Sequence, residues 1–226
     1  MTTSAPSRAS GTGAVRRLIL LRHGQTEYNA DSRMQGQLDT DLSELGRTQA
    51  KVAGQIIGDR GPLTVVSSDL RRAYFTAVAV GDVAGLPVLT DTRLRETHLG
   101  QWQGLTHHDV DALAPGARGA WRGDATLAPP GGESRVDVAR RSVPVVSELV
   151  RRHPGWGEDP VVLVAHGGLI AALTAALLDL PVDRWAVFGG LGNTSWAQLS
   201  GHGPAESVQW RLDVWNASAS VAHDIL

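Results

Sequence analysis

Cysteine is absent from this 226-residue sequence, which excludes disulfides, thiol nucleophiles and thiolate metal sites. Lysine is nearly absent: Lys51 stands alone among 21 cationic residues, and the others are arginine. That bias of composition means no arginine is a functional clue by type alone. Aromatic residues are scarce at 5%, yet seven are tryptophan. No apolar run approaches the roughly 20 residues of a membrane-spanning helix. Nor does one sign of charge prevail. The net charge is −2 with both signs interspersed, whereas a nucleic-acid partner ordinarily calls for a clustered basic surface. Residues 1–14, M-T-T-S-A-P-S-R-A-S-G-T-G-A, lack the apolar core of a signal peptide and read as a disordered tail on a cytoplasmic protein. Nothing in residues 15–226 marks a linker, so they read as one domain.

The most informative stretch is Leu18 to Asn29, L-I-L-L-R-H-G-Q-T-E-Y-N. Four large aliphatic residues suit a strand buried on both faces, and the run stops abruptly at Arg22-His23-Gly24. Val161 to Gly168, V-V-L-V-A-H-G-G, repeats the pattern and stops at His166. In open α/β sheets ligands bind at the carboxyl ends of strands, so parallel neighbours would present His23 and His166 at one edge. Either histidine alone reads as an ordinary buried or surface residue; two at matched strand ends favour a site.

Between them, short apolar runs at 63–66 and 87–89 read as strands, and further strands are expected at 194–199 and 207–214. Helices are expected over 49–57, from about Leu70 with Ser68 or Asp69 as its cap, over 105–114, from Glu133-Ser134 to about Arg152 with a possible kink at Pro144, and over 169–178. Pro115 to Gly132 is rich in Gly and Pro and reads as an irregular cap or lid; a tail follows Trp215. The alternation predicts a three-layer α/β/α sandwich with a mostly parallel central sheet and a small loop and helix cap over the site.

Two more segments carry chemistry. S-S-D-L-R-R-A places Arg71 and Arg72 in the first turn of a helix, where backbone N–H groups favour an anion. The two lie about 100° apart on that helix, and Arg71 reads as solvated. In L-R-E-T-H, Glu96 is a carboxyl able to protonate a leaving group and then activate water, though a lone loop glutamate is more simply a solvated charge. Trp102 and Trp121 are placed to pack on a sugar ring, with core packing as the simpler reading for both. Trp156, Trp210 and Trp215 read as structural.

Arg22-His23-Gly24, Arg72-Ala73, Leu94-Arg95-Glu96 and Ala165-His166-Gly167-Gly168 together resemble the signature of the histidine phosphatase superfamily, in its phosphoglycerate mutase-like branch. They occur in that family's order and span nearly the whole chain after the tail. The resemblance implies that His23 attacks phosphorus and carries it as phosphohistidine. It further implies that Arg22, Arg72 and His166 surround the phosphoryl oxygens, with Asn29, Gln35, Gly36 and Gly167 completing the substrate site. Glu96 would be the acid and then the base. The arginines should also disfavour protonated His23. No metal and no cofactor are implied, and no H-E-x-x-H spacing occurs.

Only 69 residues separate Glu96 from His166, so the long insertion of the mutases is missing. A shorter cover admits water and favours hydrolysis over return of the phosphoryl group. Longer runs outside the tripeptides, including Ser32 to Ala50 and Asp91 to Gly100, resemble one member of the branch more closely. They imply a small phosphorylated sugar-acid substrate and a cytoplasmic homodimer with no membrane or nucleic-acid partner. A mutase, a broad phosphatase and a non-catalytic binding domain remain as alternatives, in that order.

Overall fold

The computed structural model describes residues 15–219; the expected N-terminal tail at 1–14 lies outside them. Among the described residues six strands form one sheet: β1 (Arg16–Arg22), β2 (Thr64–Ser67), β3 (Val88–Thr90), β4 (Val161–Ala165), β5 (Trp196–His202) and β6 (Gln209–Ala217). Their order is β3-β2-β4-β1-β5-β6. The pairs β3-β2, β2-β4 and β4-β1 are parallel, and β5 is antiparallel to both its neighbours. The sandwich with a mostly parallel sheet is therefore as the alternation of elements indicates.

Among the described residues there are seven α-helices, α1 (Glu27–Ala30), α2 (Glu44–Gly58), α3 (Arg71–Ala84), α4 (His107–Leu113), α5 (Ala117–Gly123), α6 (Arg135–Arg152) and α7 (Gly167–Leu177), of which α2, α3, α6 and α7 pack on the sheet. Side-chain alternation sorts the core into two halves. Ile19, Leu21, Val162 and Val164 pack with Ala53 and Ile57 of α2 and Ala73, Ala77 and Val80 of α3. Leu18, Leu20, Val161 and Leu163 pack on the other face with α6 and α7. Leu18, Leu20 and Leu21 are fully buried, each worth about 1.5–3 kcal/mol of transfer free energy. This holds the end of β1 rigidly in the middle of the sheet.

Several boundaries depart from expectation for identifiable reasons. β1 begins two residues early, because Arg16 is buried with a donor on Gly203 O at 2.8 Å, which a search for apolar runs cannot see. β6 continues past Trp215 to Ala217. The lid is not wholly irregular, since α5 forms within it. Neither Ser68 nor Asp69 caps α3: its N-cap is Leu70, and Arg71 N donates to Asp39 Oδ1 from a separate loop at 2.8 Å. Asp69 is instead paired with Arg95 at 2.6 Å. α6 runs unbroken through Pro144, which is exposed, so the carbonyl it leaves without a helical donor can face water. The helix begins where expected, with Ser134 as its N-cap in a reciprocal box with Asp137.

Candidate active site

β1 and β4 lie in parallel register with Arg22 opposite Ala165, so His23 and His166 leave the sheet together. Their ring centroids are 5.1 Å apart. His23 is almost fully buried and His166 entirely so. His23 Nδ1 lies 2.7 Å from the Gly24 carbonyl oxygen. A carbonyl can only accept, so Nδ1 carries the proton and Nε2 keeps its lone pair. The His23 carbonyl accepts from Asn193 Nδ2 at 3.1 Å and from Thr194 N at 3.2 Å. Thr194 holds a φ of 54°, costly for a β-branched residue, in the turn that makes these bonds.

A cavity of about 160 Å3 opens before His23, lined by Arg22, Asn29, Arg33, Gln35, Gly36, Arg72, Glu96, Thr97, Leu99, Trp121 and Gly168. Arg22 Nη1 donates to Leu191 O, and Arg72 Nη1 and Nη2 donate to Leu38 O and Gly36 O at 2.7 and 2.8 Å. The Nε of each arginine and both ring nitrogens of His166 are buried with no protein partner. Such groups are costly to leave unmet, and their concentration here fits an oxyanion.

Burial, and then the charges of Arg72 and Arg22, push the pKa of His23 well below the usual imidazole range. The arginines act as the sequence suggests, but burial is the larger cause. His166 is pushed down in the same way, by burial and then Arg72, His23 and Arg22. Burial also lowers the Arg72 guanidinium to about 10, partly offset by Glu96.

The Glu96 carboxylate reaches the start of α7. Its Oε2 accepts from Gly168 N at 3.1 Å, and its Oε1 from Leu169 N at 3.0 Å and Thr97 N at 2.8 Å. A Cβ on Gly168 would sit 2.6 Å from Oε1, so only glycine permits this approach. Gly36 takes φ +53°, and a Cβ there would press into Gln103 Oε1 at 2.4 Å. Asn29 lines the cavity with its Oδ1 occupied by Thr26 and by Asn193 Nδ2, leaving its own Nδ2 available. Gln35 has its amide on Thr26 Oγ1 and Thr40 Oγ1, at 2.6 and 2.8 Å, and so braces the wall. Gly167 is not in this cavity's wall; it lines an adjoining one. Arg71 is exposed and paired with Asp41, as a solvated residue should be. Trp102 is core, and Trp121 meets it edge-on while forming part of the cavity wall.

Several residues of the site escape a motif reading. Arg141 of α6 donates to the carbonyls of Arg93, Arg95 and Glu96 while paired with Glu133 at 2.9 Å, and so fixes the Glu96 loop. Gln37 also donates to Glu96 O, at 3.0 Å. Arg141 gave no signal in the sequence, because the carbonyls it meets lie some 45 positions away. Asn193 gave none, because its value depends on strand order.

The chain belongs to the histidine phosphatase superfamily: the family's branch 1 profile matches residues 18–218. Within that family it is 67% identical to a glucosyl-3-phosphoglycerate phosphatase of Mycolicibacterium vanbaalenii, over 94% of this chain and 99% of the relative. A solved mycobacterial glucosyl-3-phosphoglycerate phosphatase in complex with VO3 superposes with a TM-score of 0.88 at 69% identity, covering 90% of this chain and all of that one. A metal-independent phosphoserine phosphatase of Arabidopsis thaliana is 35% identical over 89% of this chain and 82% of its own length.

Proposed function

We propose that the protein hydrolyses phosphomonoesters through a phosphohistidine on His23, with glucosyl-3-phosphoglycerate as substrate and glucosylglycerate and phosphate as products. The single observation that carries the chemistry is the fixed tautomer of His23: its Nδ1 proton is committed to Gly24 O, so Nε2 faces a cavity rich in unspent cationic donors. The substrate is supported by the 67% identity over nearly the full length of a relative of that name.

In this reading Nε2 of neutral His23 attacks phosphorus and the P–O bond to the alcohol breaks. Arg22, Arg72 and His166 hold the phosphoryl oxygens, with Asn29 Nδ2 as a further donor. Glu96 in its acid form gives the departing alcohol a proton, so the alcohol leaves neutral. A water then attacks the phosphohistidine and passes a proton to Glu96. The N–P bond breaks, and inorganic phosphate leaves with His23 regenerated. Gln35, Gly36 and Gly167 shape the site through the backbone they brace. The substrate is held by side chains and backbone alone in this reading, with no metal and no cofactor.

Residues 15–226 act as one domain in this proposal, and the protein works in the cytoplasm as a homodimer. Among the described residues no helix is long and apolar enough to cross a membrane. Exposed apolar side chains on α2 and α3, among them Leu45, Val52 and Phe75, support self-association, which sedimentation velocity would test.

Rapid quenching after mixing with phosphorus-labelled substrate tests the covalent step. An acid-labile, alkali-stable adduct that maps to His23 is expected. Normal turnover with no trapped label would falsify the covalent route. A panel of glucosyl-3-phosphoglycerate, mannosyl-3-phosphoglycerate, 3-phosphoglycerate and generic sugar phosphates, compared by kcat/KM, tests the substrate. A flat profile reduces the protein to a broad phosphomonoesterase, and interconversion of 3- and 2-phosphoglycerate makes it a mutase.

A further inference from the structure

The tautomer of His23 depends on one carbonyl, that of Gly24, which accepts from Nδ1 at 2.7 Å. A carbonyl is only as well aimed as the peptide plane that carries it. The chain leaves β1 through successive peptide units that are anchored by different groups. The unit between His23 and Gly24 is held by Thr76 of α3: Gly24 N donates to its Oγ1 at 3.1 Å, and that hydroxyl donates in turn to Arg72 O at 2.8 Å. The unit between Gln25 and Thr26 is held by Ser43, whose N donates to Gln25 O at 2.9 Å. The unit between these two carries Gly24 O. Its N–H, on Gln25, donates to the side chain of Gln49 on α2 at 2.9 Å and meets no other acceptor among the described residues. Gln49 faces it with Oε1, because a backbone N–H can only donate.

Glycine leaves this middle unit free to turn. With no Cβ at Gly24, the plane can rotate about its flanking bonds while its anchored neighbours stay in place. Nothing larger than glycine fits there: a Cβ on Gly24 would lie 2.4 Å from Gly46 O, and one on Gly46 would lie 1.9 Å from Gln25 O. The start of α2 is thus pressed backbone to backbone on the turn that carries His23. Gln49, on the same face of that helix as Gly46, reaches the turn from there. The result is a relay through one amide. Gln49 Oε1 accepts from its N–H, and its carbonyl accepts from the His23 ring. Hydrogen bonds linked in this way polarise one another, so an acceptor on the N–H strengthens the carbonyl. Which imidazole nitrogen carries the proton is set by such bonds.

We infer that Gln49 is a positioning residue for the nucleophile: it holds the Gly24–Gln25 peptide with its carbonyl toward His23, which keeps the proton on Nδ1 and the lone pair on Nε2. Without that anchor the plane turns, Nδ1 loses its acceptor, and the Nε2–H tautomer gains population. In that tautomer the lone pair that attack needs is occupied. Gln49 touches no reacting atom and is not in the wall of the His23 cavity. The inference rests on the hydrolase reading above and adds to it a residue that acts through a backbone amide.

The test compares the wild type with Gln49→Leu and Gln49→Glu. Leucine suits a helix but accepts no hydrogen bond, whereas glutamate keeps an acceptor oxygen in the same place. Nitrogen NMR of protein with isotope-labelled histidine reads the tautomer of His23, with His23→Ala assigning its signals. The wild type and Gln49→Glu are expected to hold the Nδ1–H form, and Gln49→Leu to mix in the Nε2–H form. In the same variant kcat for glucosyl-3-phosphoglycerate should fall about tenfold with KM little changed, the worth of one hydrogen bond. Gln49→Glu should recover most of that loss. Gln49→Met makes the comparison again, independently of how Gln49→Leu folds. An unmixed Nδ1–H form in Gln49→Leu and Gln49→Met overturns the inference whatever their rates, and so does an equal loss of kcat in Gln49→Glu. A wild type that holds the Nδ1–H form yet releases no phosphate overturns the hydrolase reading alone.

Discussion

Two strand ends that look alike in sequence are wired in opposite ways. After β1, His23 is tied at ring and backbone, by Gly24 O on Nδ1 and by Asn193 and Thr194 on its carbonyl. After β4, His166 has no protein partner on either ring nitrogen, although it is fully buried. A nucleophile must aim one lone pair in one direction, which a fixed tautomer achieves. A residue that answers the charge of a bound anion must be able to take a proton or donate one it holds, and an untied ring keeps that freedom. The same dipeptide, His-Gly, is thus tied down in one place and left free in the other, which in the proposed mechanism suits a nucleophile and an anion-binding residue respectively.

The largest expected effect breaks this pair apart. His23→Ala should lower phosphate release from glucosyl-3-phosphoglycerate by roughly 10⁴-fold or more, as loss of a nucleophile does. His166→Ala should cost roughly 10²–10³-fold, the scale of one lost oxyanion donor. Indistinguishable losses in a steady-state assay would erase the division of roles. Next, Glu96→Gln should slow alkyl phosphate hydrolysis by roughly 10²–10⁴-fold and nitrophenyl phosphate hydrolysis far less, since a good leaving group needs no proton. Equal losses on the two substrates would remove Glu96 as the acid. Asn193→Ala removes one of the two donors on the His23 carbonyl and the donor on Asn29 Oδ1, and should lower kcat by about five- to tenfold with a smaller change in KM. A drop in KM affinity alone would mean that Asn193 acts on substrate instead.

The smallest effect concerns pH. Burial, reinforced by Arg72 and Arg22, keeps both histidines neutral in the folded protein. In the unfolded chain they take up protons as pH falls through about 6.5. The unfolded state therefore binds more protons below that point, and stability falls as pH falls. Each histidine contributes a slope of up to about 1.4 kcal/mol per pH unit. Urea denaturation at pH 7 and pH 5.5 should show the loss, and His166→Gln should make it shallower. A pH-independent midpoint over that range would contradict the neutral pair.

Much of this was legible in the sequence because it rests on local rules. Leu18–Leu21 and Val161–Ala165 announce buried strands, and the abrupt change to His23 and His166 marks their ends. Arg71 and Arg72 separate into solvated and buried because helical geometry points them apart. What was not legible depends on partners distant along the chain. The cap expected from Ser68 or Asp69 was displaced because Asp69 is taken by Arg95 and Asp39 reaches Arg71 N. Arg141 was invisible because its value lies in carbonyls some 45 positions away that only the folded chain brings near. Trp102 and Trp121 could not be told apart by residue type; burial made one core and the other cavity wall.

Arg72 spends both terminal nitrogens on the backbone of the loop that walls the cavity, at Gly36 and Leu38, and leaves Nε without a protein partner, for the phosphoryl group in the proposed mechanism. One planar group thereby serves as both counter-charge and mortar. A lysine in its place would carry the charge but could not span two carbonyls and an anion from a single point. For anyone reshaping this enzyme, the pocket's electrostatics and its outline are not independent variables at this position. New substrates are better sought by changing the lid at Arg122, whose exposed side chain holds no such double duty.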